Sequence, residues 1–231
     1  MESGLINKTK IYKIFFMPPL LISFSNIHLQ YQNGTILTEV IRGIDFVIHQ
    51  NERLAIVGKS GSGKTSLLML MAGLEKPTSG QIKYQDQIIT SYTEDKLTDF
   101  RKKNIGIVFQ SFYLIPNYTA LENVALSLEI NFQKNALSLA KEILIDLGLE
   151  DRLQHFPSQL SGGEQQRVAI ARAIIKKPEL ILADEPTGNL NSKQSDEIMQ
   201  LFKQLNEEDG VTIIQATHSE SNAAYASKII N

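Results

Sequence analysis

The chain has 231 residues, of which 42% are hydrophobic, a formal net charge of -2 and no cysteine. Its length suits one large domain or two small ones, and the lack of cysteine excludes a disulfide framework and a thiolate metal site. The near-neutral charge excludes a global basic field that would attract nucleic acid or anionic lipid, although a local basic patch stays possible.

Residues 1–21 are predicted to be an N-terminal extension. The stretch KTKIYKIFFMPPLLIS has the lysines and apolar residues of a signal peptide, but Pro18 and Pro19 split the run and no small-residue cleavage site follows. The run is also shorter than the roughly 20 apolar residues that span a bilayer. Met17 is a second candidate for the natural start, and a membrane role would need a partner protein.

Residues 22–110 alternate between strand and helix patterns. Period-2 apolar positions predict strands at residues 22–30 and 41–49, and ERLAIVG reads as a buried strand that enters a glycine turn. A helix over residues 65–74, a hairpin in GQIKYQDQII, an exposed charged helix over residues 93–103 and a buried strand in NIGIVFQ follow.

Residues 111–160 have a helical character, because Leu137, Ala140, Leu144 and Leu147 keep a spacing of three or four. Residues 161–231 then return to alternation, with a helix after LSGG, a buried strand in ELILADE, a helix over residues 192–206 and a strand in VTIIQATH. Strands that alternate with helices predict an α/β core with a parallel sheet, into which the helical stretch is inserted.

GKSGSGKT matches the phosphate-binding pattern G-x-x-x-x-G-K-[ST], and it follows a strand and opens a helix as the pattern requires. Its glycines let backbone N–H groups converge on phosphate oxygens, and the helix N-terminus adds positive charge. The alternative is a plain glycine turn. The candidate nucleotide-binding residues here are Gly58, Lys59, Ser60, Gly61, Ser62, Gly63, Lys64, Thr65 and Ser66.

LILADE delivers Asp184 and Glu185 to the carboxyl end of a strand, the edge at which open α/β sheets bind ligands. Mg²⁺ prefers oxygen ligands and keeps several waters, so Asp184 and the Thr65 hydroxyl are candidate metal ligands. Glu185 is a candidate base for an attacking water, and Lys64 reaches the outer phosphates. The alternative is a solvated carboxylate pair at a strand end.

Together with LSGGEQQR, these pieces make the chain resemble the ATP-binding subunit of ABC transporters over about residues 22–230. GKSGSGKT resembles the Walker A motif, VFQ the Q-loop, LSGGEQQR the signature, LILADE Walker B, GNLN the D-loop and ATH the switch histidine. The resemblance implies an α/β fold: a P-loop NTPase core of mostly parallel sheet, an N-terminal antiparallel β part and an inserted α-helical subdomain. The core then comprises residues 22–110 and 161–231, and the helical subdomain residues 111–160.

The resemblance also implies the roles of residues outside the phosphate loop. Ser161, Gly162 and Gly163 would face the γ-phosphate held by a second subunit, where glycines expose backbone N–H groups. Ordinary N-capping explains the serine but not two glycines, each of which costs about 1 kcal/mol in a helix. Gln110 would sense the γ-phosphate or Mg²⁺, and His218 would bond the γ-phosphate.

Tyr31 resembles the aromatic residue that stacks on adenine in this family, and its alternative is an ordinary strand-end tyrosine. The family's D-loop usually ends in aspartate, whereas this chain has Asn191, so the loop keeps its shape but loses a charge. The chain continues for few residues after His218, which suggests a minimal version of the fold. His28, His49 and His155 are interpreted as ordinary histidines.

The implied assembly is a homodimer that sandwiches two Mg²⁺·ATP and drives an integral-membrane permease from the cytoplasmic face of the membrane. VFQSFYLIPNYTALENVALSL and DEPTGNLN resemble the subgroup for lipoprotein release, macrolide or peptide efflux, and cell division. The partner surface is expected near Gln110 and the helical insertion. Phe112, Tyr113, Leu114 and Ile115 are candidates for that groove, or else for the core.

Three other functions stay open at the sequence level. A nucleotide-switched regulator of cell-wall enzymes would share every active-site residue with a transporter subunit. An ABC-type ATPase acting on nucleic acid or ribosomes is disfavoured by the single cassette and the near-neutral charge, so no nucleic-acid partner is expected. A simple kinase or GTPase leaves LSGGEQQR unexplained.

Overall fold

The computed structural model describes residues 18–230, and these residues form two sheets with helices packed around them. The strands are β1 (Leu20–Asn33), β2 (Ile36–His49), β3 (Arg53–Val57), β4 (Ser79–Tyr84), β5 (Gln87–Ile88), β6 (Ile105–Phe109), β7 (Leu180–Asp184), β8 (Thr212–Thr217) and β9 (Lys228–Ile230). The α-helices are α1 (Lys64–Met71), α2 (Glu94–Asn104), α3 (Ala120–Glu129), α4 (Ala136–Asp146), α5 (Gly162–Ile174), α6 (Ser192–Asp209) and α7 (Glu220–Ala223). None of these helices is long and apolar enough to cross a bilayer.

The first sheet is antiparallel, with strand order β2-β1-β4-β5, as the predicted antiparallel β part requires. Its first strand begins at Leu20, two residues before the predicted start, and residues 1–17 lie outside the described part of the chain. The pairing of β1 with β2 shifts register between Phe24 and Ile27, where Asn26 has a φ of 48°. This bulge explains why the buried positions jump from 22 and 24 to 27 and 29.

The second sheet is parallel, with strand order β6-β7-β8-β3-β9. All six residues of β8 and four of five in β7 are buried, as expected of strands covered on both faces. The sequence predicted four of these strands and missed β9, which pairs with β3 at the sheet edge. The chain therefore adds α7 and a further strand after His218. The sequence did not predict β9, because three residues of which two are exposed give too weak a pattern.

Helices α3 and α4 lie between β6 and α5 and pack with the middle of α5 in an apolar cluster of their own. Residues 136–146 are helical, as the spacing predicted; Ala140, Leu144 and Leu147 are buried in this cluster, and Leu137 is half exposed. This separate cluster agrees with a helical insertion, and the boundaries at residues 111 and 160 stay a prediction.

The sheet order places four loops at one edge. Strands β3, β6, β7 and β8 are parallel, so the segments that follow them leave from the same carboxyl edge, where open α/β sheets hold their ligands. The predicted phosphate loop follows β3, Gln110 follows β6, Glu185 follows β7 and His218 follows β8. Four segments far apart in sequence therefore meet at one site.

Candidate functional site

The loop between β3 and α1 has the backbone that its glycines predict. Gly61 and Gly63 have φ values of 79° and 91°, which other residues rarely adopt. Lys64 is 8% exposed, and its ammonium donates to the carbonyls of Gly58 at 2.8 Å and Lys59 at 3.1 Å. The loop thus holds the lysine charge over the N-terminus of α1, beside backbone N–H groups that suit phosphate.

Thr65 and Asp184 meet at the base of the same site, although 119 residues separate them in sequence. The Thr65 hydroxyl donates to the Asp184 carboxylate at 2.8 Å. Burial raises the pKa of Asp184, and the nearby Glu185 charge adds to that rise, while the bond from Thr65 and the Lys64 charge oppose it. A carboxylate held at this energetic disadvantage is a good acceptor for a cation.

Glu185 and His218 form a second pair beside it. Nδ1 of His218 lies 2.8 Å from a carboxylate oxygen of Glu185, and the histidine is the more exposed partner. Glu185 adopts a left-handed φ of 46°, a conformation that costs about 1–3 kcal/mol in a residue other than glycine. Its N–H donates to the carbonyl of Ala216 at 2.9 Å, which fixes the start of this turn to β8.

These groups line one open cleft of about 670 Å³. It contains most of the predicted phosphate, metal and catalytic side chains of the chain. Its lining residues are Val40, Lys59, Ser60, Gly61, Gly63, Lys64, Thr65, Ser66, Gln110, Asp184, Glu185 and His218. Val40 was missed by the sequence analysis, because a valine in a strand carries no signal that it covers the loop at Gly63.

Tyr31 lies next to the cleft rather than in its lining. Its hydroxyl is 3.4 Å from that of Ser66, and its side chain is 43% exposed. Partial burial and the neighbouring Glu75 raise its pKa, while Ser66 acts against them. The ring therefore lies beside α1 and leaves part of its surface exposed, which stacking on adenine requires. The stacking role of Tyr31 stays a prediction.

Gln110 reaches the cleft and is held by the segment after β7. Its side chain donates to the Asn189 side chain at 3.2 Å, and the Asn189 amide donates back to the Gln110 carbonyl at 2.9 Å. A Cβ on Gly188 would come within 2.6 Å of the Gln110 amide. Sequence reasoning placed Gly188 and Asn189 in the D-loop motif but missed their contact with Gln110, since 79 residues separate Asn189 from its partner.

Ser161 caps α5 through a capping box with Glu164. The Ser161 hydroxyl and N–H donate to the Glu164 carboxylate at 2.8 and 2.7 Å, and Arg152 donates to its other oxygen at 2.8 Å. Burial by itself would raise the pKa of Glu164, but the bonds from Ser161 and Arg152 together hold that pKa below its usual value. Glu164 is therefore a carboxylate at neutral pH.

The glycines of LSGG have a packing reason that the sequence analysis did not consider. A Cβ on Gly163 would lie 3.0 Å from the Gln194 side chain, and one on Gly162 would lie 3.3 Å from Leu190. Close packing against Gln194 of α6 and against Leu190, which precedes α6, thus favours small residues at both positions without any ligand. Residues 161–163 do not line the cleft of their own chain, so a role in nucleotide binding requires a second chain and stays a prediction.

Two further predicted features have local explanations. Asn191 is the N-cap of α6 and accepts from the Gln194 N–H at 2.9 Å, which an aspartate would do equally well.

Phe112 and Tyr113 both have a left-handed backbone, and Arg172 donates to their carbonyls at 2.7 and 2.5 Å.

The candidate groove residues are divided between core and surface. Leu114 packs against the cluster of α3 and α4, whereas Tyr113 is 65% exposed. The sequence left open whether these residues lie in the core or in a surface groove. Leu114 belongs to the core, and Tyr113 lies on the surface.

Comparisons with known proteins identify the family to which the chain belongs. A family model described as ABC transporter matches residues 41–188. The chain is 46% identical over 204 residues to the lipoprotein-releasing system ATP-binding protein LolD of Idiomarina loihiensis, covering 87% of the chain and 90% of that protein. It is 44% identical to the protein of the same name from Syntrophotalea carbinolica, covering 91% and 94%.

Solved structures give the same answer for the fold. The ATP-binding cassette MJ0796, in a dimeric post-hydrolysis state bound to ADP and Pi, matches with a TM-score of 0.85 and 40% identity over 91% of the chain and 93% of that structure. A second dimeric structure of MJ0796, described as a bacterial ABC transporter cassette, matches with a TM-score of 0.85 and 41% identity. The P-loop NTPase fold predicted from the sequence is confirmed, and the chain belongs to the ABC transporter family as an ATP-binding, ATP-hydrolysing cassette.

Proposed function

We propose that this chain hydrolyses ATP in the cleft at the carboxyl edge of the parallel sheet, as the ATPase subunit of a lipoprotein-releasing transporter. One observation carries the site assignment: the Thr65–Asp184 and Glu185–His218 pairs lie side by side next to Lys64 and its loop. The relatives named for lipoprotein release support the cargo class. No feature of the site favours the regulator of cell-wall enzymes.

The residues present fit a magnesium nucleotide. Among residues 18–230, no cluster of three or more histidine, cysteine or acidic residues could hold a metal ion. Mg²⁺ would therefore take some of its ligands from the protein and the others from phosphates and water. Thr65, Asp184 and Gln110 supply the hard oxygen atoms that Mg²⁺ prefers. The bound ion would neutralise charge on the β- and γ-phosphates during transfer.

Each group of the chain then has a chemical task. Lys64 exchanges its two carbonyl partners in the loop for the outer phosphate oxygens. Glu185 accepts a proton from the water that attacks the γ-phosphorus in line with the leaving oxygen. His218, whose imidazole lies within hydrogen-bond distance of Glu185 before the nucleotide arrives, donates to the γ-phosphate once ATP is bound. Tyr31 stacks on the adenine ring.

The second half of each site comes from a second copy of the chain. Residues 161–163 lie outside the cleft of their own chain, yet they form the N-terminus of a 13-residue helix whose dipole attracts anions. In the proposed homodimer each nucleotide is held between the phosphate loop of one chain and Ser161–Gly163 of the other. The dimeric state of MJ0796 in both matched structures supports this arrangement.

The chain works with an integral-membrane permease and binds it as a peripheral subunit at the cytoplasmic face of the membrane. The relatives' description as the ATP-binding protein of a releasing system supports a separate membrane partner. We place the contact near Gln110 and the exposed Tyr113, where the cleft adjoins the helical insertion. No nucleic-acid partner is proposed, given the net charge of -2.

The test compares Glu185→Gln with Glu208→Gln, which removes an exposed carboxylate of α6 far from the cleft lining. Glu185→Gln should bind ATP, lose turnover by at least about 100-fold and form a stable dimer with Mg²⁺·ATP. Glu208→Gln should behave as the wild type. Retained turnover, or ATP binding without a nucleotide-dependent dimer, would contradict the proposal.

A further inference from the structure

Contacts with several other parts of the chain hold the six residues that follow β7, Glu185 to Leu190. Three of these attachments hold the segment next to the candidate base, and they come from three different helices or loops. They are Glu185 to His218, Pro186 to Gln166 and Thr187 to Asn222. Asn189 is hydrogen-bonded to Gln110, whose side chain lies against Gly188, and Leu190 lies against Gly162.

The contact of Thr187 is the one that neither the proposed reaction nor the sequence motifs account for. The Asn222 amide donates to the Thr187 hydroxyl at 2.6 Å. Thr187 is 6% exposed, and neither residue lines the nucleotide cleft. The Asn222 backbone is itself fixed, because its carbonyl accepts from the buried side chain of Gln215 on β8 at 2.9 Å. The donor is therefore anchored to the parallel sheet.

The strained turn at Glu185 needs such an anchor. Glu185 has a left-handed φ of 46°, and a non-glycine residue keeps this conformation only when its surroundings over-determine it. The Glu185 N–H is held by Ala216 of β8, which fixes the chain before the side chain. The Thr187 hydroxyl, two residues later, is held by Asn222 and fixes the chain after it.

The side-chain contact of Glu185 with His218 faces the cleft that the nucleotide would enter. His218 lines the cleft, and its side chain is 66% exposed, so a bound γ-phosphate competes with Glu185 for the imidazole. The Thr187–Asn222 bond lies away from the cleft and does not compete with phosphate. It can therefore persist while the Glu185–His218 contact rearranges.

We propose that Thr187 and Asn222 are a positioning pair that keeps the Glu185 carboxylate aimed at the attacking water once the nucleotide has engaged His218. The inference rests on the proposed role of Glu185 as the base. Neither residue lines the nucleotide cleft, so the pair acts on the rate of turnover and leaves nucleotide affinity unchanged. Because the two residues act through one bond, losing either partner has the same effect as losing both.

The experiment measures kcat and KM for Mg²⁺·ATP with the full chain. Thr187→Val keeps the shape but removes the acceptor, Thr187→Ser keeps the acceptor, and Asn222→Leu removes the donor. We expect a fall of about tenfold in kcat for Thr187→Val, Asn222→Leu and the double variant, with KM within about twofold, and near-normal kcat for Thr187→Ser. Thr98→Val is the control, since its hydroxyl accepts from Arg101 on the distant helix α2.

Melting temperatures separate positioning from folding, because a merely structural contact would lower the melting temperature and leave the kcat of the folded fraction unchanged. An unchanged kcat for Thr187→Val, an equal loss for Thr98→Val, or multiplying losses in the double variant would overturn the inference. Glu185→Gln is measured alongside. Full turnover by Glu185→Gln would refute the proposed function itself, whereas an inactive Glu185→Gln with a normal Thr187→Val refutes the positioning pair alone.

Discussion

The chain contains two nearly identical helix caps, only one of which is proposed to touch a nucleotide. Ser161 caps α5 and Thr119 caps α3, and each hydroxyl donates to a glutamate three residues later at 2.8 Å. Replacing either residue with alanine removes the same local interaction. We expect each variant to lose about 1 kcal/mol of stability. In a chain of this size that corresponds to about 2–4 °C in melting temperature.

The two variants should differ in the nucleotide-dependent dimer. A hydrogen bond to a charged group contributes about 1.5–3 kcal/mol, and the lower end applies here because the Ser161 hydroxyl must first leave Glu164. Two such bonds per dimer give about 3 kcal/mol, which is a factor of about 100 in the dimerisation constant. Ser161→Ala should therefore weaken the dimer by about this factor, while Thr119→Ala leaves it unchanged.

Sedimentation of both variants in the Glu185→Gln background, with Mg²⁺·ATP over a range of protein concentrations, measures the dimerisation constant. Binding of ATP to the monomer should be equal in the two variants, since Ser161 lies outside the cleft of its own chain. Equal dimerisation constants would mean that Ser161 is only a helix cap. That result would refute the reasoning that the signature completes the site of a second chain.

Three further predictions concern the cleft and its partner surface. Burial raises the pKa of Asp184 in the folded chain above its ordinary value of about 3.9 in the unfolded chain. Between these two pKa values the folded chain binds more protons than the unfolded chain, so the stability without nucleotide falls as pH rises through this range. Asp184→Asn should therefore raise the melting temperature at pH 7 while abolishing turnover, which calorimetry and a phosphate-release assay check. Tyr31→Ala should weaken ATP binding by about tenfold and Tyr31→Phe by less than twofold, measured by titration calorimetry, because stacking needs the ring and not the hydroxyl. Glu164→Gln should tighten the ATP-dependent dimer by about tenfold at low salt and by less at high salt, measured by sedimentation, because it removes a carboxylate close to the proposed phosphate site.

The sequence carries the parts of this site that are local. The spacing of Gly58, Gly63 and Lys64 is specific because all three belong to one turn, whose backbone holds the Lys64 ammonium, and the structure places that turn after β3 as predicted. The runs ILADE and IIQAT predict buried strands because parallel strands are covered on both faces. Alternation of such strands with helices was enough to infer the sheet and its ligand-binding edge.

The contacts between distant segments could not be predicted. Asn189 is 79 residues from Gln110, and Thr187 is 35 residues from Asn222. Neither pairing leaves a periodicity or a motif in the chain. At Gly163 the sequence suggested an anion site, which stays a prediction, and the structure adds a packing neighbour, Gln194, that the sequence did not indicate. Motifs formed by residues close in sequence could be predicted from the sequence, whereas contacts between distant segments could be found only from the three-dimensional structure.

The central claim is that one nucleotide is held between two copies of the chain, and its most direct test uses the absence of native cysteine. One preparation carries Ser60→Cys in the cleft and the other carries Ser161→Cys at the start of α5, both in the Glu185→Gln background. A short thiol-specific crosslinker should join the two variants when Mg²⁺·ATP is present, and not with ADP or without nucleotide. A mixture of Ser60→Cys and Thr119→Cys should stay uncrosslinked. Crosslinking that ignores ATP, or that occurs only within a single chain carrying both cysteines, would contradict the account.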